Sequence, residues 1–305
     1  MKVALLGGTG FVGTWLVDAL LEHGHEPALL VRPGSEHKVH KPARCLIVTG
    51  DVTDAGRVGE LVAGADSVVY NVGILRESPG VTFEAMHVSG VELAIAATRE
   101  AGCSRFVLMS ANGAAPNGTP YQTTKYRAEQ ALVKSGIEYT IFRPSVIFGD
   151  PRGRDEIATR LYRQMIRPPL PAVWFHTGLV PDPDTVRLSP VAVEDVAEAF
   201  ARGIDLPECV NRTLALGGGR TLNWKTMLEC IAAAVGRRKL MLPMPLGVMS
   251  ATAALGEHFP WFPVTRDQLT MLAQGNIAGP ERLETLLGRP PVEFAPDALG
   301  YLNAR

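Results

Sequence analysis

The sequence predicts an α/β fold, a doubly wound parallel sheet with a small C-terminal lobe. Three observations carry this. Short apolar runs with no polar break alternate with helical patterns through the first half of the chain, as in sheets buried on both faces. The first of those runs leads straight into a glycine-rich turn and a helix. Beyond roughly residue 150 the alternation yields to proline- and arginine-rich sequence of weak periodicity. Residues 1–150 are therefore assigned to the sheet core. Residues 151–305 are assigned to a mixed segment that completes the core and forms a small substrate or partner lobe.

Composition narrows the function classes. With 305 residues the chain can bury about three quarters of its unfolded surface and needs no staples. Hydrophobic content of 46% and charged content of 20% suit an ordinary globular protein. A net charge of −1 supplies no field for nucleic acid, so no nucleic-acid partner is expected. Cys45, Cys103, Cys209 and Cys230 lack metal-type spacing, which predicts reduced core thiols in a cytoplasmic protein and no metal. No secretory signal is legible, because the first apolar run is a short strand directly after Lys2.

The elements follow in order. Val3 to Leu6 is a buried strand, and Gly7-Gly8-Thr9-Gly10-Phe11-Val12-Gly13 turns the chain into a helix that runs to Glu22 and stops at Gly24. Strand, glycine turn and helix together make a pyrophosphate cradle. Glycine lets backbone approach the ligand, and the helix start offers unpaired N–H groups and partial positive charge. Gly7, Thr9, Gly10, Phe11, Val12 and Gly13 are the candidate contacts. Ala28 to Val31 is the second strand, ending at Arg32. An acid near that position would bond a ribose 2′-hydroxyl; a guanidinium, with Lys38 not far on, suits a 2′-phosphate. NADP(H) is thus the expected cofactor, ahead of NAD(H).

Cys45 to Val48 is the third strand, and a helix begins at Asp54. Asp51, followed by Val52, either accepts from the adenine amino group or caps that helix. Ser67 to Tyr70 is the fourth strand, after which Asn71 and Gly73 pass close to the cofactor. Phe83 to Ala101 is a helix, Phe106 to Met109 the fifth strand, Tyr121 to Lys134 a helix, and Tyr139 to Phe142 the sixth strand. Further on, helices are expected at 157–166, 192–202 and 224–235, with a short strand at 214–216. Leu246 to Leu255 with Phe259, Trp261 and Phe262 forms an apolar stretch suited to a core helix, or to docking on a membrane or partner.

Tyr121 and Lys125 are the sharpest catalytic candidates. Thr119, Pro120 and Gln122 give a cap, a first-turn proline and a capping-box partner. Tyr121 then stands in the first turn, with Lys125 one turn later on the same face. The ammonium and the helix dipole would favour phenolate and lower the tyrosine below its usual pKa of ~10, giving an acid/base for a carbonyl or alcohol.

The glycine turn, Asp51, Tyr121-Gln122-Thr123-Thr124-Lys125 and Arg143 to Gly149 resemble the short-chain dehydrogenase/reductase superfamily, in its extended or atypical branch, with a Rossmann core. Arg105 to Gly113, the helix start at Tyr121, and Pro263 to Leu269 are similar to bacterial relatives of the nucleotide-binding accessory subunit of respiratory complex I. The resemblance implies that Tyr121 is the acid/base and that Lys125 bonds the nicotinamide ribose. It also implies that Pro144-Ser145 passes the carboxamide. In catalytic members a Ser or Thr past the fifth strand orients the substrate oxygen. Here Ala111 holds that place, and Ser110 and Asn112 are the neighbouring substitutes.

Three readings follow. The first is an oxidoreductase moving hydride between NADP(H) and a small apolar carbonyl or alcohol, with Tyr121, Lys125 and Ser110 as catalytic candidates. The second is a nucleotide-binding accessory or redox-sensing protein, peripheral at the inner face of a membrane. The third is a nucleotide-sugar epimerase or dehydratase, for which Arg152, Arg154 and Arg187 would meet a diphosphate.

Overall fold

A computed structural model describes residues 1–256 and 265–304. Its central feature is a seven-stranded sheet. β1 (Lys2–Leu6) is buried from Val3 onward, and it pairs in parallel with β2 (Glu26–Val31) and β4 (Ser67–Tyr70). β3 (Leu46–Thr49) extends the sheet beside β2. β5 (Arg105–Met109) and β6 (Glu138–Pro144) extend it beyond β4, all in parallel. The strand Arg212–Leu216 closes the edge next to β6. After β1 the chain builds outward through β2 and β3, then returns to place β4 on the other side of β1. The reversal lies between β1 and β4, and in open α/β sheets ligands bind at the carboxyl ends of such a pair.

Helices join the strands. α1 (Phe11–Glu22) buries Leu16, Val17 and Leu20. α2 (Ala55–Val62) is capped by Asp54, whose side chain accepts from Arg57 N, and it buries Val58, Leu61 and Val62. α3 (Gly90–Glu100) follows a π-helical turn at Glu84–Ser89, so the single helix expected over 83–101 is two pieces. α4 (Pro120–Lys134) begins with the expected capping box: Thr119 N donates to Gln122 Oε1 at 2.9 Å and Gln122 N to Thr119 Oγ1 at 3.4 Å. The core beneath α2, α3 and α4 contains Leu30, Val68, Tyr70, Phe106, Leu108 and Ile141.

The chain divides into two compact units, Met1–Pro144 with Glu194–Ala215, and Ser145–Val193 with Leu216–Arg305. The helix expected at 192–202 spans Val193–Asp205. In the second unit Phe148 meets Phe294 edge to face at 4.8 Å, and Phe175 lies 5.6 Å from Trp224. Two strands there were not legible in the sequence, Ala172–His176 and Met241–Pro245, which pair in parallel. The second contains Pro243 and Pro245, and a strand bonded on one side only tolerates their missing N–H groups. Of the apolar stretch, Leu246–Gly256 is helical; Phe259, Trp261 and Phe262 lie outside the described residues. No helix among the described residues is long and apolar enough to cross a membrane.

Candidate functional site

The glycine turn sits at the carboxyl end of β1, and its three spaced glycines answer different demands. Gly7 has φ +92°, and a Cβ there would stand 2.9 Å from the Asn71 backbone. At Gly13 a Cβ would stand 2.1 Å from Gly7 O, so the turn and α1 can close only on glycine. Gly10 differs. Its φ is −77°, and a Cβ would meet only Gly7 O at 3.5 Å, an ordinary contact. Nothing in the described chain requires glycine at this exposed position. What its missing side chain leaves open is the approach to the start of α1. That start has no side-chain cap and no acid in its first turn, which leaves N–H groups and the positive end of the dipole for an anion.

The neighbouring strand ends complete the rim. Asn71 supports the turn from β4, its N donating to Leu6 O at 2.9 Å and its Nδ2 to Gly7 O at 3.3 Å. Arg32, just past β2, is exposed, and its side chain makes no hydrogen bond or ion pair among the described residues. Asp51 does not cap α2, since Asp54 does; Asp51 Oδ1 instead accepts from Thr53 N at 3.0 Å and Thr53 Oγ1 at 2.8 Å. Its second oxygen has no partner among the described residues, and Val52 beside it is buried.

α4 carries Tyr121 and Lys125. Lys125 is buried, and its ammonium donates to Met109 O at 3.1 Å and Val72 O at 3.4 Å, bridging the ends of β5 and β4. Burial lowers its pKa from 10.5 to about 8, against a partly restoring effect of Glu129. Gly73 is explained by the same contact, because a Cβ there would lie 3.2 Å from Lys125 Nζ.

The expected lowering of Tyr121 is corrected. Burial pushes its phenol up, to about 12, and the Lys125 ammonium is turned to the two carbonyls instead. The Tyr121 ring packs edge-on against Phe83 at 5.9 Å and His87 at 5.4 Å. Its hydroxyl makes no hydrogen bond among the described residues.

Ser110 belongs to a different network. Its hydroxyl donates to Glu129, whose carboxylate also receives Arg143 Nε at 2.8 Å and Nη2 at 2.5 Å. Both oxygens of Glu129 are thereby engaged, and the Ser110 proton is not free for a substrate. Asn112 N donates to Pro144 O at 2.9 Å, holding the end of β5 to the end of β6. Ser145 Oγ donates to Asn276 O at 2.9 Å. Within the first unit the structure thus gathers the glycine turn, Asn71, Gly73 and Lys125 along the carboxyl ends of adjacent strands.

Sequence reasoning missed His87. Ile74 N donates to its Nε2 at 3.1 Å, and its Nδ1 lies 3.1 Å from Thr124 Oγ1. A single histidine inside a helical pattern carries no signal of such a role.

Residues 7–164 match the NAD(P)H-binding family. The chain is 26% identical over 253 residues to ceramide reductase of Caulobacter vibrioides, covering 82% of this chain and 76% of that one. It is 27% identical over 284 residues to the chloroplastic divinyl chlorophyllide a 8-vinyl-reductase of Oryza sativa subsp. indica, covering 85% and 65%. Among solved structures, UDP-glucose 4-epimerase of Thermus thermophilus in complex with NAD superposes with TM-score 0.74 at 21% identity, over 100% of this chain and 98% of that one. At that identity the likeness is one of fold.

Proposed function

Because the chain belongs to the NAD(P)H-binding family, we propose that it is an NADP(H)-dependent reductase of an apolar carbonyl substrate, with Tyr121 as proton donor. NADPH, when bound, supplies the hydride. The first helical turn at Gly10 to Gly13 holds the pyrophosphate by backbone N–H groups. Arg32 meets the 2′-phosphate, and Asp51 the adenine amino group. Lys125 orients the ribose hydroxyls from its place between Val72 O and Met109 O. Tyr121 gives its phenolic proton to the carbonyl oxygen as that oxygen gains charge, and regains one from water.

The observation that supports this reading most is the gathering of the glycine turn, Asn71, Gly73 and Lys125 along the carboxyl ends of adjacent strands, with Tyr121 one helical turn from Lys125. Burial raises the phenol above its ordinary pKa, so Tyr121 holds its proton at neutral pH, as a proton donor must. Two relatives are named as reductases, a ceramide reductase and a divinyl chlorophyllide a 8-vinyl-reductase. Those names support reduction as the reaction. The test is NADPH oxidation across a panel of apolar ketones and aldehydes. Activity with at least one of them, lowered about 10²- to 10³-fold in Tyr121→Phe with NADPH affinity retained, supports the proposal. Tight NADPH binding without turnover on any of them counts against it.

A second reading is favoured by a specific observation. Ala111 has no hydroxyl and that of Ser110 is engaged by Glu129, so neither residue just past β5 offers a free hydroxyl. A chain that binds NADP(H) without turnover, as an accessory or assembly protein on a membrane complex, would have this arrangement. The Photosystem II assembly factor Ycf39 of Synechocystis is 24% identical over 281 residues. The same assay separates the two.

A further inference from the structure

We propose that His87 is a positioning residue, a neutral imidazole that clamps the loop after β4 to the helix bearing Tyr121 and Lys125. The proposal rests on the catalytic reading of those two residues for its kinetic consequence, and on geometry alone for the clamp itself.

The clamp begins in the backbone. A π-helical turn at Glu84–Ser89 frees a carbonyl from the regular ladder, and Tyr70 Oη donates to Met86 O at 2.6 Å. The Tyr70 hydroxyl fits only because residue 90 is glycine, where a Cβ would stand 2.2 Å from it. The next residue, His87, is buried between two backbone segments. The Ile74 N–H points at Nε2, so that nitrogen is the acceptor and the proton resides on Nδ1. Nδ1 then donates to Thr124 Oγ1, which passes its own proton to Pro120 O at 2.8 Å or Tyr121 O at 3.1 Å. The ring stacks on Phe83 at 5.5 Å and meets the Tyr121 ring edge-on at 5.4 Å.

The loop of Val72, Gly73 and Ile74 is therefore held from two directions. Lys125 binds its carbonyl at Val72 and His87 binds its amide at Ile74. Gly73 lies between them, and a Cβ there would stand 3.2 Å from Lys125 Nζ and 3.8 Å from His87 Nε2. A second positive charge here would face Lys125 in a dry site. Burial and that ammonium hold the imidazole far below its ordinary value, at about 2. His87 thus fixes the loop against α4 without adding charge beside Lys125.

The experiment compares wild type with His87→Phe, which keeps a ring and loses both bonds, and His87→Gln, whose amide can accept from Ile74 and donate to Thr124. Imidazole nitrogen NMR of the cofactor-free wild type should show the Nδ1–H neutral form unchanged from about pH 5 to 8. The Ile74 amide should exchange at least tenfold faster in His87→Phe. The kcat for NADPH-dependent reduction should fall at least tenfold in His87→Phe with substrate KM within about twofold, and His87→Gln should recover part of it. A His87 ring that titrates in its ordinary range, or an Ile74 amide equally protected in His87→Phe, overturns the proposal. So does a kcat within twofold of wild type in that variant. If His87→Phe fails to fold, His87→Leu, which also loses both bonds, decides on the same readouts, and Ile74 protection kept in a folded His87→Leu overturns the clamp. Should no member of the panel be reduced, or should Tyr121→Phe leave turnover unchanged, the catalytic reading fails, while the tautomer and the Ile74 amide protection still decide the clamp.

Discussion

Gly10 and Gly13 are both glycines of one turn, yet they answer to different partners. Gly13→Ala puts a methyl 2.1 Å from Gly7 O and 2.7 Å from Gly8 backbone, so a loss of about 3 kcal/mol or more is expected in chemical denaturation. Gly10→Ala meets nothing closer than 3.5 Å, so it should fold within about 1 kcal/mol of wild type and still bind NADPH at least tenfold more weakly. Calorimetric titration beside a melting curve separates the two effects. Arg32 is the matching specificity residue: Arg32→Asp should weaken NADPH far more than NADH, and equal losses would show that it does not read the 2′-phosphate. Lys125 adds a pH signature. Its folded pKa of about 8 lies below the 10.5 of the open chain, so the folded state releases the proton first. The cost of the buried charge is in full force below about pH 8 and is relieved as pH rises from there to 10.5. Relative to Lys125→Met, wild type should gain about 3 kcal/mol over that interval, at ~1.4 kcal/mol per pH unit. A flat difference across it would mean the ammonium is solvated.

At the scale of elements, the start of α4 is the part that sequence and structure describe alike. Thr119, Pro120 and Gln122 announce a capping box by identity and spacing alone, and both reciprocal bonds form. Thr119→Ala should cost about 1 kcal/mol, measurable as a shift in denaturation midpoint, and a change below about 0.3 kcal/mol would show the cap is redundant. The same signature recurs at Thr265 and Gln268, opening the helix Arg266–Gln274; Pro263 and Val264 of that stretch lie outside the described residues. Other elements were legible only in outline. Cys45 to Val48 reads as a buried strand because it is apolar, yet the strand, Leu46–Thr49, is a sheet edge, with Leu46 56% and Ile47 40% exposed. Periodicity reports greasiness and not neighbours. The helices expected at 83–101 and 157–166 each contain a π-helical stretch, which keeps the apolar spacing nearly helical and leaves no mark in composition. That is why His87 was invisible: its partners, Ile74 N and Thr124 Oγ1, are set by the π turn and by the fold's long-range pairing. Tyr121 shows the limit of local spacing. Standing one turn from Lys125 suggested a lowered phenol, but Lys125 turns to Val72 O and Met109 O, and burial dominates.

At the scale of the molecule, the first unit was the readable one, because a doubly wound sheet repeats one local rule from strand to strand. Even there the chain leaves at Pro144 and re-enters at Glu194, a return that depends on tertiary pairing rather than on any local signal. The second unit is built from two-stranded pairings, one of them across a strand with two prolines, which periodicity does not detect. The family and the fold follow from the match over residues 7–164 and from the sheet order. Whether binding leads to chemistry turns on Tyr121, since Ala111, just past β5, carries no hydroxyl. The most direct measurement is a single-turnover reaction with NADPH stereospecifically deuterated at the transferring position, mixed with the isolated chain and an apolar ketone or aldehyde. Tyr121-assisted hydride transfer predicts deuterium on the product's new carbinol carbon with wild type, and none on the same timescale with Tyr121→Phe. Bound NADPH that keeps its deuterium across the whole panel, in wild type as in the variant, would contradict it.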